Sequence, residues 1–155
     1  ETLFLQTLLA PQATIIKREL LWIPFFGWAF ALNKPIAIDR GTPRSALKRL
    51  IAVGRARLAE RIWVVLFPEG TRGDGSRIGE LRPGLYFVAQ QCPDVDLIPV
   101  QLHNLSRILP KGERLPVPIR GSAPCGAPMR LAPGEDRDAF LNRARAALID
   151  LGERQ

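Results

Sequence analysis

A short apolar run that meets a proline is the feature that most constrains what this chain can fold into. Six apolar residues follow one another at positions 62–67, and Pro68 comes next. The run is too short for a stable helix and is rich in β-branched and aromatic residues, so it predicts a strand buried on both faces, as in parallel sheets. Proline cannot donate a hydrogen bond to a sheet, so Pro68 ends the strand.

The four residues after Pro68 carry the groups of an anion site: Glu69, Gly70, Thr71 and Arg72. In open α/β sheets, ligands bind beyond the carboxyl ends of the strands. Gly70 permits a positive φ and a close backbone approach, Thr71 adds a hydroxyl donor, and Arg72 offers a planar fork that fits phosphate oxygens. The residue types therefore predict a phosphate site. The alternative is a strand-end turn in which Glu69 and Arg72 only pair with each other.

Strand and helix patterns alternate along the chain, which implies βαβ units. The expected fold class is α/β, with a mostly parallel central sheet flanked by helices, and residues 1–155 are expected to form a single domain. Strands are predicted at residues 13–16, 35–38, 62–67 and 96–102, with weaker ones at 117–119 and 127–131. Helices are predicted at residues 2–10, 43–58, 84–91 and 135–151.

The charge balance favours anionic partners. Lysine and arginine number 22 against 15 acidic residues, a net charge of +7, which suits nucleic acid, acidic lipid or a phosphorylated substrate. Aromatic residues are few, at 7%, and no nucleic-acid-binding pattern occurs, so nucleic acid is not expected as a partner. The predicted helix from Pro43 has a basic side, for which simple solvation is the alternative; its members are Arg44, Lys48, Arg49, Arg55 and Arg57.

The sequence predicts neither a metal site nor a membrane span. Cys92 and Cys125 are isolated and have no metal-ligand spacing, so neither a metal nor a disulfide framework is expected. No run reaches the roughly 18 apolar residues of a membrane span. Residues 20–32 carry no charge and contain two tryptophans and three phenylalanines. That length fits either a buried core segment or a segment at a membrane interface.

Several segments resemble motifs of the glycerolipid acyltransferases, in the order in which that family has them. The most specific is F-P-E-G-T-R at residues 67–72, which resembles the lysophosphatidic acid acyltransferase branch. Arg82-Pro83-Gly84 stands where many members have lysine, one residue, then glycine. The other matches are K-R-E-L at 17–20 with I-P at 23–24 and F-G at 26–27, I-A-I-D-R at 36–40, and I-P-V at 98–100.

The resemblance implies direct acyl transfer to lysophosphatidic acid, giving phosphatidic acid in phospholipid biosynthesis. The co-substrate would be acyl-CoA or acyl-carrier protein, with no other cofactor. Glu69 would orient Arg72 or the acceptor hydroxyl, the alternative being a purely structural partner of Arg40 or Arg72. The residues expected to hold the acceptor phosphate are Lys17, Arg40, Gly70, Thr71 and Arg72.

The family's first motif is a histidine, four further residues and an aspartate, and this pair does not occur in the chain. The single histidine, His103, follows the fourth motif and is expected to be a structural or surface residue. Residues 1–5, E-T-L-F-L, resemble the end of a variant first motif whose catalytic acid is Glu1; the alternative is that Glu1 is simply the first residue. The catalytic histidine would then stand five positions before Glu1, the domain would lack its N-terminal part, and the 155 residues alone would be inactive.

A non-catalytic module that binds phosphate or anionic lipid is the alternative function, since it would keep the phosphate site and basic surface without a histidine base. A membrane surface is expected as a further partner. The protein would work at the cytoplasmic face of the membrane, held peripherally or anchored through the N-terminal segment.

Overall fold

The computed structural model describes residues 2–17, 22, 35–38, 43–70, 78–104 and 121–153. The chain divides into two compact units, Glu1–Phe67 and Pro68–Gln155. Within the first unit lie α1 (Thr2–Leu8), β1 (Gln12–Lys17), β2 (Ile36–Ile38), α2 (Pro43–Ala59) and β3 (Trp63–Val65). Within the second lie α3 (Gly84–Gln91) and α4 (Arg137–Glu153).

Among the described residues, the first unit contains a parallel sheet of three strands with the order β2-β1-β3. Ile15 lies opposite Ile36, and Ala13 lies opposite Val64. Parallel neighbours need a crossover connection, and α2 lies in the connection between β2 and β3. The predicted α/β class, with a parallel sheet and helices, is confirmed.

The core of the first unit forms between this sheet and α2. Ala13 of β1 and Ile36 of β2 are almost completely buried, with 0% and 1% of their surface exposed. Leu50 and Val53 of α2 pack against the cluster that these two residues form with Ile62. The side of α2 that carries Leu50 and Val53 therefore faces the sheet.

Helix α2 ends in a Schellman motif that turns the chain directly towards β3. The N–H of Ile62 donates to the carbonyl of Arg57 at 2.9 Å, and the N–H of Arg61 donates to the carbonyl of Leu58 at 2.9 Å. Arg61 has a φ of 59°, a left-handed conformation that glycine usually supplies. Because Ile62 is already in the core, the helix-to-strand connection takes very few residues.

Strand β3 is shorter and more exposed than the sequence predicted. It spans Trp63–Val65 rather than residues 62–67, and the side chains of Trp63 and Phe67 are 48% and 38% exposed. The prediction of a strand buried on both faces is therefore wrong. Among the described residues, β1 is the only strand beside β3, so β3 lies at the edge of the sheet that these residues form.

The second unit is built around the packing of α3 against α4. The ring of Tyr86 lies 6.1 Å from the ring of Phe140 in an edge-to-face arrangement. Phe140 is fully buried, and Ala144 and Leu151 continue the buried side of α4. The predicted helix at residues 84–91 is confirmed, and the one predicted at 135–151 is confirmed with both ends two residues later.

The segment predicted as a strand at residues 96–102 forms isolated bridges instead. Pro99 has no N–H to donate, so a continuous ladder is interrupted there, although its carbonyl accepts the N–H of Gly126 at 2.8 Å. The predicted strand at 127–131 is reduced to one bridge, and residues 117–119 lie outside the described residues. The bridges are antiparallel and pair Leu97 with Met129, Val100 with Cys125, and His103 with Ser122.

An ion pair fixes the chain just before α4. The carboxylate of Glu135 accepts hydrogen bonds from Arg143 at 2.7 and 2.8 Å and from the N–H of Ala132 at 3.0 Å. These hydrogen bonds lower the pKa of Glu135 to about 2, and those from Arg143 contribute more than the one from Ala132. Asp136 adds a cap, because its Oδ1 accepts the N–H of Ala139 at 2.8 Å.

Replacing Arg61 by glycine is expected to stabilise the protein by about 1 kcal/mol, because glycine adopts the left-handed conformation without the steric cost that an L side chain meets there. Urea unfolding measures the change. The matched control is Arg61→Ala, which removes the same side chain but keeps the strained backbone. A glycine variant no more stable than the alanine variant would contradict the assignment of strain to Arg61.

The Glu135–Arg143 pair predicts a loss of stability in acid. The pKa of Glu135 is lowered in the folded protein from 4.5 to about 2, so the unfolded chain takes up the proton first. The stabilising contribution is complete above about pH 4.5 and is lost as the pH falls towards about 2. Urea unfolding of the wild type and Glu135→Gln across this window should show the difference between them shrinking. A difference that stays constant with pH would contradict the prediction.

Candidate functional site

The residues predicted for the site fall partly within the described structure. Glu69 and Gly70 are described in full, and Lys17 is described through its backbone. The remaining four lie outside the described residues, so their roles stay predictions; they are Glu1, Arg40, Thr71 and Arg72.

In the first unit, the parallel register places Lys17 at the carboxyl edge of the sheet. Lys17 is the last residue of β1 and pairs in register with Ile38, the last residue of β2. Arg40 follows Ile38 by two positions in the sequence. Both strands therefore leave the sheet at one edge, the edge where ligands bind in open α/β folds.

At the start of the second unit, Arg82 holds the backbone of the predicted turn. Its backbone N–H donates to the carbonyl of Pro68 at 2.8 Å, and its side-chain Nε donates to the carbonyl of Glu69 at 3.3 Å. Gly70 follows with a φ of 69°, so the expected use of glycine at a positive φ is confirmed. A Cβ on Gly70 would lie 3.2 Å from Cγ of Arg82, so the glycine also leaves room for this side chain.

The carboxylate of Glu69 is bound by a backbone N–H. Its Oε2 accepts the N–H of Gly79 at 3.0 Å in a partly buried position. A Cβ on Gly79 would lie 2.9 Å from the same oxygen, a distance that real Cβ atoms essentially never show. The glycine therefore provides the space that the carboxylate occupies. The expected roles of Glu69 towards Arg72, Arg40 or an acceptor hydroxyl stay predictions.

Arg145 of α4, which is distant in the sequence, binds the backbone beside the Gly79 N–H that holds Glu69. Its Nη2 donates to the carbonyl of Ile78 at 2.9 Å, and its Nε donates to the carbonyl of Gly79 at 3.2 Å, both in partly buried positions. Sequence reasoning proposed neither Gly79 nor Arg145 for the site, because no motif marks them. Arg82 did have a signal, since Arg82-Pro83-Gly84 stands at a motif position of the resembled family.

The resulting arrangement is a turn fixed on both its backbone and its carboxylate. Arg82 holds two consecutive carbonyls, and Gly79 holds Oε2 of Glu69. A carboxylate with a fixed orientation can position a guanidinium or a substrate hydroxyl without losing side-chain freedom at the moment of binding. The adjoining positions in the sequence are Thr71 and Arg72, the predicted phosphate ligands.

His103, the chain's only histidine, is buried, with 8% of its surface exposed. Its backbone N–H donates to the carbonyl of Ser122 at 2.9 Å, which agrees with the structural role expected from the sequence. Within the described ranges, no group of three or more histidine, cysteine, aspartate or glutamate side chains is placed to hold a metal ion. No helix in these ranges has the length and apolar character that crossing a bilayer requires.

Comparison with known proteins matches the chain to named acyltransferases. A 1-acyl-sn-glycerol-3-phosphate acyltransferase of Pseudomonas aeruginosa is 43% identical over 111 residues, which cover 72% of this chain and 42% of that protein. The protein of the same name in Salmonella typhimurium is 36% identical over 96 residues, covering 62% of this chain and 39% of that protein. The chain therefore spans about two-fifths of the length of these relatives.

The chain also resembles a solved structure and matches a family model. The crystal structure of the 1-acyl-sn-glycerophosphate (LPA) acyltransferase PlsC from Thermotoga maritima superposes with a TM-score of 0.66 at 22% identity, over 94% of this chain and 59% of that one. This likeness shows a common fold. The sequence model of the family described as Acyltransferase matches residues 2–103, about two-thirds of the chain. The chain belongs to the Acyltransferase family.

Proposed function

We propose that this chain is the acceptor-binding part of an enzyme that transfers a fatty acyl group from a thioester to lysophosphatidic acid, giving phosphatidic acid. The observation that carries the proposal is the fixed turn at residues 68–70, in which Arg82 holds the carbonyls of Pro68 and Glu69 and the N–H of Gly79 holds the carboxylate of Glu69. The family match supports it, as do relatives named 1-acyl-sn-glycerol-3-phosphate acyltransferase.

Binding of the acceptor phosphate is assigned to the basic and glycine-rich positions of the motifs. Arg72 supplies a bidentate fork for phosphate oxygens, and Gly70 lets the backbone approach them. A hydrogen bond to a charged group contributes roughly 1.5–3 kcal/mol, so two or three such contacts are enough to dominate acceptor recognition. The full set of ligands proposed is Lys17, Arg40, Gly70, Thr71 and Arg72.

Acyl transfer also needs a base, because a neutral glycerol hydroxyl is a poor nucleophile near pH 7. A histidine takes the proton while the hydroxyl oxygen attacks the thioester carbon, and the donor thiolate leaves; such a base contributes roughly 10²–10⁴ in rate. An acid holds the correct imidazole tautomer, and we assign this role to Glu1. The proposal expects a histidine five positions before Glu1 in the parent reading frame, and acyl-CoA or acyl-carrier protein as donor.

An anionic membrane surface on the cytoplasmic side is the proposed place of reaction. Helix α2 carries five basic and no acidic residues over Pro43–Ala59. Arg44, Lys48 and Arg55 are exposed, and their spacing puts them along one side of the helix. Trp22, from the uncharged segment at residues 20–32, is 81% exposed, which supports the interfacial alternative for this segment. Basic side chains together with an inserted aromatic residue make a two-part attachment to anionic lipid.

Variants of Arg72 in the full-length protein test the proposed function. Arg72→Ala should lower kcat/KM for lysophosphatidic acid roughly 10- to 100-fold, the loss expected for one charge-assisted hydrogen bond. Arg72→Lys should recover only part of it, because a point charge replaces a bidentate fork. The matched control is Arg61→Ala, at the end of α2, which should behave like the wild type.

Two outcomes would contradict this scheme in different ways. Unchanged kinetics in both Arg72 variants would remove this residue from the phosphate site. A folded, full-length protein that binds lysophosphatidic acid but transfers no acyl group from acyl-CoA or acyl-carrier protein would favour the non-catalytic binding module.

Vesicle flotation tests the membrane surface. The protein should float with vesicles containing anionic lipid at low salt and be released as salt is added, because exposed charges are screened beyond about 10 Å at 0.1 M ionic strength. The double variant Arg44→Gln/Lys48→Gln should weaken binding more than Arg130→Gln/Arg137→Gln, which removes the same net charge elsewhere. Equal losses in the two pairs would show that net charge alone, rather than α2, controls binding.

A further inference from the structure

One peptide group connects a guanidinium on α4 with the carboxylate of the F-P-E-G-T-R motif. The carbonyl of Ile78 accepts from Nη2 of Arg145 at 2.9 Å, and the N–H of Gly79 in the same peptide unit donates to Oε2 of Glu69 at 3.0 Å. In a planar trans peptide the C=O and N–H point in opposite directions. Arg145 and Glu69 are therefore bound at opposite ends of one rigid group.

The charges at the two ends strengthen this connection. A cation at the carbonyl oxygen and an anion at the amide hydrogen both polarise the peptide in the direction of its own dipole, so each hydrogen bond strengthens the other. Arg145 also donates to the carbonyl of Gly79 at 3.2 Å. Contacts to two consecutive carbonyls fix the orientation of the chain at this point as well as its position.

The space beside the Cα atom of Gly79 is occupied by the carboxylate of Glu69. Gly79 does not have a positive φ, so its backbone conformation does not itself require glycine. An added Cβ would lie 2.9 Å from Oε2 and 3.8 Å from Cδ of Glu69. A side chain at Gly79 would therefore have to displace the carboxylate of Glu69 from the position that it occupies.

We infer that Arg145 is a positioning residue: acting through the Ile78–Gly79 peptide, it fixes the carboxylate of Glu69 for its work on the acceptor. The inference rests on the proposed function for its effect on acyl transfer. It extends the site beyond the residues that the family model matches, 2–103, into a helix that carries none of the motifs. Loss of the guanidinium leaves Glu69 chemically intact but lets its orientation vary.

A double-mutant cycle in the full-length enzyme tests the inference. Arg145→Gln should lower kcat/KM for lysophosphatidic acid roughly tenfold or more, the scale expected when a reacting group is misplaced. In a Glu69→Gln background the same change should cause no further loss, because the carboxylate that it positions is gone. Arg145→Lys keeps the charge but not the fork and should give an intermediate loss. Arg137→Gln, on the same helix, should behave like the wild type.

A purely structural Arg145 gives a different result, namely the same fold-loss in both backgrounds, and that result would overturn the inference. If Arg145→Gln does not fold, Arg145→Lys is measured in the same cycle and judged by the same criterion.

Amide hydrogen exchange at Gly79 separates this inference from the proposed function. Absence of acyl transfer by the wild type would refute the proposed function alone. Faster exchange at Gly79 in both Glu69→Gln and Arg145→Gln, compared with Arg137→Gln, would still support the positioning of Glu69 by Arg145. Exchange that stays at the wild-type rate in Arg145→Gln would overturn it.

Discussion

Parallel pairing of β1 with a strand on each side is the constraint from which the described first unit follows. Parallel strands cannot be joined by a tight hairpin, so the chain must travel back between β2 and β3, and α2 covers the sheet on that path. The same pairing sets all three strands in one direction. Their carboxyl ends then share an edge, where charged residues can follow without interrupting the hydrogen-bonded ladder.

Most elements could be predicted because local chemistry fixes them. Pro43 marks the first residue of α2, where a missing N–H costs nothing, and the helix over residues 84–91 was predicted with its observed bounds. The exposure of Trp63 was not predictable, because an apolar run does not reveal how many neighbours its strand has. The bridges between residues 97–103 and 122–129 depend on partners more than 15 positions apart along the chain, which periodicity does not detect.

The candidate site shows the same division between local and distant causes. Gly70 could be predicted because a positive φ is a local property of the turn, and Arg82 had a signal because Arg82-Pro83-Gly84 stands at a motif position of the resembled family. Gly79 and Arg145 could not, because their importance comes from one peptide group that only the folded chain brings against Glu69. A backbone amide as the partner of a carboxylate leaves no residue-type pattern to detect.

The bond between Arg145 and the Ile78 carbonyl bears on how this molecule can be divided into parts. The motifs end by residue 103, so they mark out a region that looks like a module of its own. A truncation after that region would keep every motif and discard the guanidinium that anchors the peptide facing Glu69. A chimera that exchanges only the motif region between relatives would join this carboxylate to a foreign helix. A transferable unit that keeps this hydrogen bond therefore has to include α4, which lies beyond the extent of the family match.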